Sequence, residues 1–318
     1  MVDLSTVIVS YNTRQLLRAC LNSLPDAAGG LEHEVFVVDN TSSDGSPEMV
    51  EEEFPWVHLV RSECNLGFAG GNNEGLRRAS GRCLLLLNPD TVTAPKALAE
   101  LVAFMDSHPQ AGYCGPKLVN PDGSHQPSAR RFPTPISPAF SMLGLAVRRP
   151  KSRHAIDLHL QLGSEKAFAA DWLSGACLMV RREVIEQVGL LDDGFFLYFE
   201  ETDWCRRMAA AGWQGWYVPS AQVMHFGGQS VSQAAAVGLF SGNHPVYWTL
   251  SSRRYLRKHH GWAAAMFSRV LQTTLFGTIW ARHAWRGNLT SERKAGAALA
   301  SIRYLLTPTS SPRLAVKR

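Results

Sequence analysis

The chain has 318 residues, 45% hydrophobic and 19% charged, with a formal net charge of +5. That composition excludes wholesale disorder and leaves room for one large α/β domain or two smaller ones. The charge is uneven: residues 250–318 hold thirteen Lys/Arg against one acid, Glu292, for +12, and the rest carries −7. A basic segment on an acidic body points to an anionic partner, lipid headgroups or nucleic acid. The six cysteines are scattered without a C-x-x-C pair and read as small buried side chains in a reducing compartment. A strand follows the first residues almost at once, and no secretion signal is expected.

The first strand is Thr6-Val7-Ile8-Val9, followed by Ser10-Tyr11-Asn12 and a helix-period stretch from Arg14 to Leu24. The second, Glu34 to Val38, ends on Asp39-Asn40, and the turn-rich run Thr41 to Ser46 carries cap residues for a helix. Val57 to Val60 is a short third strand leading to the glycines 67, 70 and 71 and a helix to about Ala79. Four leucines, Leu84 to Leu87, form the fourth strand, apolar enough to be buried on both faces at the centre of a mainly parallel sheet. Pro89 stops it and leaves Asp90 just beyond its end, where open α/β sheets bind ligands. There Asp90 either caps a helix beginning near Ala94 or holds a divalent cation that in turn holds a diphosphate. The aromatic run Phe195 to Phe199 reads as a strand entering a helix through Arg206, Arg207 and Met208, with Glu200, Glu201 and Asp203 at the junction. Ala221 to Met224 is a further strand, ending on His225.

A nicotinamide or flavin dehydrogenase is disfavoured, because the glycine fingerprint would follow the first strand and Ser-Tyr-Asn stands there instead. The ordered set Val7-Ile8-Val9-Ser10-Tyr11-Asn12, Val38-Asp39-Asn40, Asn65-Leu66-Gly67-Phe68-Ala69-Gly70-Gly71-Asn72 and Leu87-Asn88-Pro89-Asp90 resembles glycosyltransferase family 2. More narrowly it resembles the bacterial rhamnosyltransferase-like branch, and Ser174-Gly175-Ala176-Cys177, the acidic run at 200–203, Gly212-Trp213 and His225-Phe226-Gly227-Gly228-Gln229-Ser230 are further matches. The likeness covers about residues 3–232 and fades beyond residue 235.

The resemblance implies a GT-A type, Rossmann-like nucleotide-sugar-binding sheet. Residues 1–235 would be the catalytic domain, with a nucleotide-sugar half (1–115) and an acceptor and catalytic half (116–235), followed by a basic helical extension (236–318). It implies an inverting transferase that moves L-rhamnose from dTDP-L-rhamnose, or a hexose from a UDP donor, to a lipid-linked or cell-surface glycan. A protein that binds nucleotide-sugars without catalysis is the alternative outside the enzyme class.

By the same resemblance Ser10, Tyr11, Asn12 and Asp39 line the nucleoside pocket, with Asp39 accepting from the pyrimidine. Asn65, Gly67, Gly70, Gly71, Asn72 and Asn88 would wall the donor. Asp90 and His225 would hold Mg²⁺ or Mn²⁺; Asn88 stands where many relatives carry a first aspartate, leaving one charged ligand. An acceptor hydroxyl must lose its proton as it attacks, so a carboxylate base is required. The resemblance assigns that role to Glu201, with Glu200 and Asp203 beside it, although acids in a first helical turn also complement the helix dipole. Trp172, Ser174, Gly175, Arg130 and Arg131 are acceptor-side candidates. The segment from Ser137 to Lys166 reads as a lid.

Beyond residue 235 the pattern is helical. Val270 to Ala281 is apolar for 12 residues between Arg269 and Arg282, too short to span a bilayer. With Arg257, Lys258, Arg286, Arg293, Lys294, Trp262, Trp280 and Trp285 it suggests a surface lying on an anionic membrane. A packed helical appendage or a homodimer contact is the alternative. The expected location is the cytoplasm, peripheral on the inner face of a bacterial cytoplasmic membrane, with no nucleic-acid partner.

Overall fold

A computed structural model describes residues 2–227, 244–284 and 289–306. Gly228, Gln229, Ser230, Trp285 and Arg286 lie outside them, and the side chains of Arg293 and Lys294 are likewise not described. The chain runs β1 (Leu4–Ser10), α1 (Arg14–Ala28), β2 (His33–Asp39), α2 (Ser46–Glu53), β3 (Val57–Arg61), α3 (Gly67–Leu76) and β4 (Cys83–Leu87). It continues through β5 (Thr91–Thr93), α4 (Ala97–Ser107), β6 (Ala111–Val119), β7 (His125–Gln126) and β8 (Ala129–Arg130). Three short helices, α5 (Ser137–Met142), α6 (Leu145–Arg148) and α7 (His159–Leu162), precede β9 (Phe168–Ala170), β10 (Trp172–Leu173) and β11 (Cys177–Arg181). Then come α8 (Arg182–Val188), α9 (Glu200–Ala210), β12 (Gln214–His225), α10 (His244–Ala284) and α11 (Leu289–Leu306).

Two units emerge. The first comprises residues 1–132, 157–193 and 200–233, and the second residues 133–156, 194–199 and 234–318. The first is built on a ten-stranded sheet with the path β3-β2-β1-β4-β11-β6-β12-β5, β7 adding to β6 and β9 to β12. The expected parallel arrangement holds for β3, β2, β1 and β4; beyond β4 the sheet is mixed, because β11 runs antiparallel to both β4 and β6. The leucine strand is the hinge of this change and is buried along its whole length, as a strand covered on both faces must be. Leu17, Leu21 and Leu24 of α1, Met49 of α2 and Leu98, Leu101 and Met105 of α4 cover one face of the sheet. On the other, α3 lies against β1 at a distance that only glycine permits. A Cβ on Gly75 would sit 2.4 Å from Val7 Cγ1, and one on Gly71 would sit 2.8 Å from Val9 Cγ1.

Two expectations are overturned here. No helix begins near Ala94: Thr91–Thr93 is β5, paired antiparallel with β12, and α4 starts at Ala97. Asp90 therefore precedes a strand and caps no helix. Nor is the aromatic run a strand. Tyr198 and Phe199 both take positive φ, 68° and 67°, which breaks extended backbone, and Phe195 and Phe199 pack with Tyr255 and Leu256 in the second unit.

In that second unit α10 is interrupted at Gly261 (φ 85°), giving helices over 244–260 and 262–284. It packs against α5 and α11. Among the described residues no helix is long and apolar enough to cross a membrane. Five cysteines are buried as expected, and Cys64 is exposed.

Candidate active site

Strand order places the site. In the first unit β1 has β2 on one side and β4 on the other, and the carboxyl ends of these three strands meet where the order reverses, a common ligand position in α/β sheets. Ser10, Asp39 and Asn88 stand at or just after those ends.

At the β1–β2 end, Asn12 (φ 52°) ties the two loops together. Its backbone N–H donates to Ser42 Oγ at 2.9 Å and its Oδ1 accepts from Ser43 N at 2.8 Å. Asp39 is buried; its Oδ2 accepts from Ser42 N at 3.0 Å, while its Oδ1 is shielded from solvent without a hydrogen-bond partner. A buried carboxylate oxygen whose lone pairs accept no hydrogen bond is costly unless a donor arrives. Tyr11 is 43% exposed beside it, a ring free to stack. Ser10 is buried and its hydroxyl bonds Thr13 Oγ1 at 3.0 Å.

The second cluster lies where β5 pairs with β12. That pairing sets His225 opposite Thr91, and the Asp90 carbonyl accepts from Phe226 N at 2.9 Å. His225 Nε2 thereby stands 3.3 Å from Asp90 Oδ1, an oxygen that is buried and has no hydrogen-bond partner. The other ring nitrogen, Nδ1, is 2.7 Å from Gln126 Oε1. The Gln126 amide is oriented by its NH₂ group, which donates to Asn120 Oδ1 at 2.9 Å and toward the His225 carbonyl at 3.4 Å. A carbonyl oxygen only accepts, so the neutral ring carries its proton on Nδ1, and the Nε2 lone pair faces the carboxylate. Two acceptors facing one another could share a cation. Asn88 joins the corner with its Nδ2 3.2 Å from His225 Nε2, so its NH₂, not its oxygen, faces the ring. Among the described residues no three His, Cys, Asp or Glu side chains converge to hold a metal. Asp90 and His225 could hold a Mg²⁺- or Mn²⁺-type ion, which keeps several non-protein ligands.

The third cluster holds the acids at the start of α9. Asp203 is fully buried and bridges to Arg207 Nε at 3.0 Å. Arg207 in turn donates to the Val188 and Leu190 carbonyls at 2.6 and 2.7 Å, so Asp203 is committed to holding the chain. Glu200 and Glu201 differ: each has an Oε2 shielded from solvent and without a hydrogen-bond partner. Burial pushes both carboxyls above their ordinary range. The neighbouring Glu201 charge raises Glu200 further, whereas backbone N–H groups and Arg130 pull Glu201 partly back.

Arg130 pairs across the small β8–β10 sheet with Trp172, and its guanidinium lies 5.2 Å from the Trp172 ring. Its Nε is buried and unpartnered. Gly175 sits between Phe68 and Glu201: a Cβ there would be 3.4 Å from the Phe68 ring and 3.6 Å from Glu201 Cβ. Ser174 N donates to Ser128 O at 2.9 Å, fixing that turn. Arg130, Trp172, Gly175 and Glu201 are thus brought together. The Arg131 side chain instead donates to Gln161 Oε1, while its carbonyl accepts from Trp172 Nε1 at 2.9 Å.

Other expected donor-wall residues have local work. Asn65 Oδ1 accepts from Gly67 N at 2.9 Å, and Asn72 donates to Phe68 O at 2.9 Å within α3. Gly71 is explained by the packing of α3 on β1. Two residues of the site went unread in the sequence. Asn40 clamps the glycine loop, donating to Gly67 O at 3.0 Å and accepting from Leu66 N at 3.3 Å. Gln126 orients His225 across 99 positions, a relation no local pattern discloses.

Comparison with known proteins gives this geometry a context. Residues 5–189 match Glycosyl transferase family 2. The chain belongs to that family. It is 32% identical over 288 residues to the N-acetylglucosaminyl-diphospho-decaprenol L-rhamnosyltransferase of Mycobacterium tuberculosis, covering 87% of this chain and 90% of the relative. Rhamnosyltransferase WbbL of Escherichia coli is 28% identical over 232 residues, 69% of this chain and 82% of its own. The fold resembles mannosyltransferase PcManGT from Pyrobaculum calidifontis, solved with GDP-Man and Mn²⁺, at a TM-score of 0.55 and 17% identity, covering 95% of this chain and 84% of that one. The family 2 chain is a glycosyltransferase of GT-A type. One expectation changes: likeness to the mycobacterial relative spans too much of the chain to stop near residue 235.

Proposed function

We propose that this glycosyltransferase moves L-rhamnose from dTDP-L-rhamnose to a lipid-linked or cell-surface glycan acceptor, with inversion, by direct displacement assisted by Mg²⁺ or Mn²⁺. The observation that carries the reading is the pair of facing acceptors, Asp90 Oδ1 and His225 Nε2, 3.3 Å apart at the end of the nucleotide-binding sheet. The mycobacterial relative's name supplies the sugar and a lipid diphosphate acceptor.

In this reading Asp39 Oδ1 accepts the ring N–H of the pyrimidine, while Tyr11 and Asn12 shape the nucleoside pocket. Asp90 and His225 hold the cation, and Asn88 joins them as a ligand only if its amide turns its oxygen inward. Once bound, the ion would neutralise the diphosphate charge that builds as the sugar leaves. Glu201 takes the proton of the attacking hydroxyl, and its raised affinity for protons suits a base. Arg130 limits that rise and borders the acceptor side with Trp172 and Gly175. Asp203 positions α9. Catalysis is assigned to residues 1–235. The extension, residues 236–318, docks on the anionic inner face of the cytoplasmic membrane, where a lipid-linked acceptor would be met.

A melting-temperature series with nucleotide-sugars and either cation tests the donor, since a ligand that binds only the folded state stabilises it. dTDP-L-rhamnose should raise the melting temperature in a cation-dependent way, and transfer to a lipid diphosphate sugar should follow with inverted anomeric configuration. A response to UDP-hexoses alone would replace the donor. Donor binding with neither transfer nor hydrolysis would leave a binding protein.

A further inference from the structure

The second unit concentrates charge more than the C-terminal segment does alone. Its residues 133–156 add four cations and no acid, so the unit carries seventeen Lys/Arg against the single Glu292, and the rest of the chain is left at −11. The four added cations are Arg148, Arg149, Lys151 and Arg153, all exposed and none paired with a carboxylate among the described residues. Immediately before them stand two apolar side chains turned to solvent, Leu143 at 56% and Val147 at 72% exposure.

The same juxtaposition recurs on α10. Trp262, Phe267, Val270 and Trp280 are exposed, and at 3.6 residues per turn they fall within about 140° of one helix side. The two segments adjoin. A cavity of about 390 Å³ is lined by Thr134, Ile136, Arg153 and His154 from one and by Ala263 and Phe267 from the other.

We propose that residues 143–153 are a second, internal membrane-docking element, inserting Leu143 and Val147 below a collar of Arg148, Arg149, Lys151 and Arg153 into an anionic lipid surface. This rests on the membrane role proposed for the extension and adds a contact outside it. Bare cations would serve nucleic acid equally well. Large apolar side chains held out in water beside them favour a partner with an apolar interior, which lipid offers and a phosphate backbone does not.

The test uses the full chain and vesicles of phosphatidylcholine with or without phosphatidylglycerol. Each surface cation contributes about fivefold to partitioning on an anionic bilayer. Arg148→Gln/Arg149→Gln/Lys151→Gln should therefore lower partitioning about 100-fold at low salt. Leu143→Ser/Val147→Ser should lower the component that survives high salt, leaving only what the α10 apolar side chains supply. Both variants should melt like the parent. A polarity-sensitive dye on Val147→Cys, in a Cys64→Ser background because Cys64 is exposed, should shift to the blue on anionic vesicles. If the parent binds vesicles and both variants bind equally, the internal element fails while the extension's role stands. If the parent ignores anionic vesicles, both fail. Loss of DNA retention in the variants, with vesicle binding unchanged, would assign the patch to nucleic acid.

Discussion

Replacing Glu201 by glutamine separates the catalytic from the structural consequence of one side chain. Glutamine keeps the shape but cannot accept a proton, so turnover should fall by about 10²-fold or more with donor affinity little changed. Stability should move the other way. Glu201 has a buried Oε2 with no hydrogen-bond partner, and burial raises its carboxyl above the ordinary range. An acid whose folded-state value is raised binds more protons folded than unfolded, so it lowers stability as pH climbs through the interval above its unfolded value of about 4.3. Glutamine keeps a buried oxygen there but sheds the charge, and relief from burying an unpaired charge is worth about 1–3 kcal/mol. At about 2–4 °C per kcal/mol, Glu201→Gln should melt several degrees higher at neutral pH, and the advantage should vanish as pH falls toward 4.3. Single-turnover transfer and a melting series across pH read both effects. Because Glu200 is also raised, and partly by Glu201, the rate profile reports the pair, rising with pH through an apparent value above the ordinary glutamate range. A Glu201→Gln enzyme that turns over normally, or one that is destabilised at neutral pH, would refute the argument.

Three further outcomes follow from other sites. Asp90→Ala should abolish cation-dependent donor binding without lowering the melting temperature, because its Oδ1 makes no hydrogen bond; normal turnover in chelator would contradict this. Gln126→Leu should weaken Mn²⁺ binding about 10–100-fold by releasing the His225 ring, read by the paramagnetic resonance of free Mn²⁺, with ¹⁵N chemical shifts reporting loss of the Nδ1–H tautomer. Asp203→Asn should cost about 3 kcal/mol by breaking the buried bridge to Arg207, and any rate loss should track folding, with the surviving folded enzyme retaining donor affinity.

The residues alone determined the parallel part of the sheet, β3-β2-β1-β4. Strand identity there follows from runs such as Leu84–Leu87, where four leucines admit little but a strand covered on both faces, and the acids after such strands mark the ligand edge. Local pattern could not show that Thr91–Thr93 is a strand, because three residues carry too little periodicity and their conformation depends on a partner at least 130 positions away. That long-range pairing makes Asp90 and His225 neighbours and brings Gln126 behind the ring. Nor could sequence separate three acids within four positions. Asp203 found Arg207 one helical turn on, whereas Glu200 and Glu201 kept buried oxygens unpaired, a difference decided by what the rest of the fold packs around the start of α9. The aromatic run misled because its hydrophobicity serves the core of another unit, and tertiary packing there overrides its strand propensity. Charge followed the same rule: composition alone located the basic tail, but only the grouping of 133–156 with it gathered the cations and exposed apolar side chains into one unit.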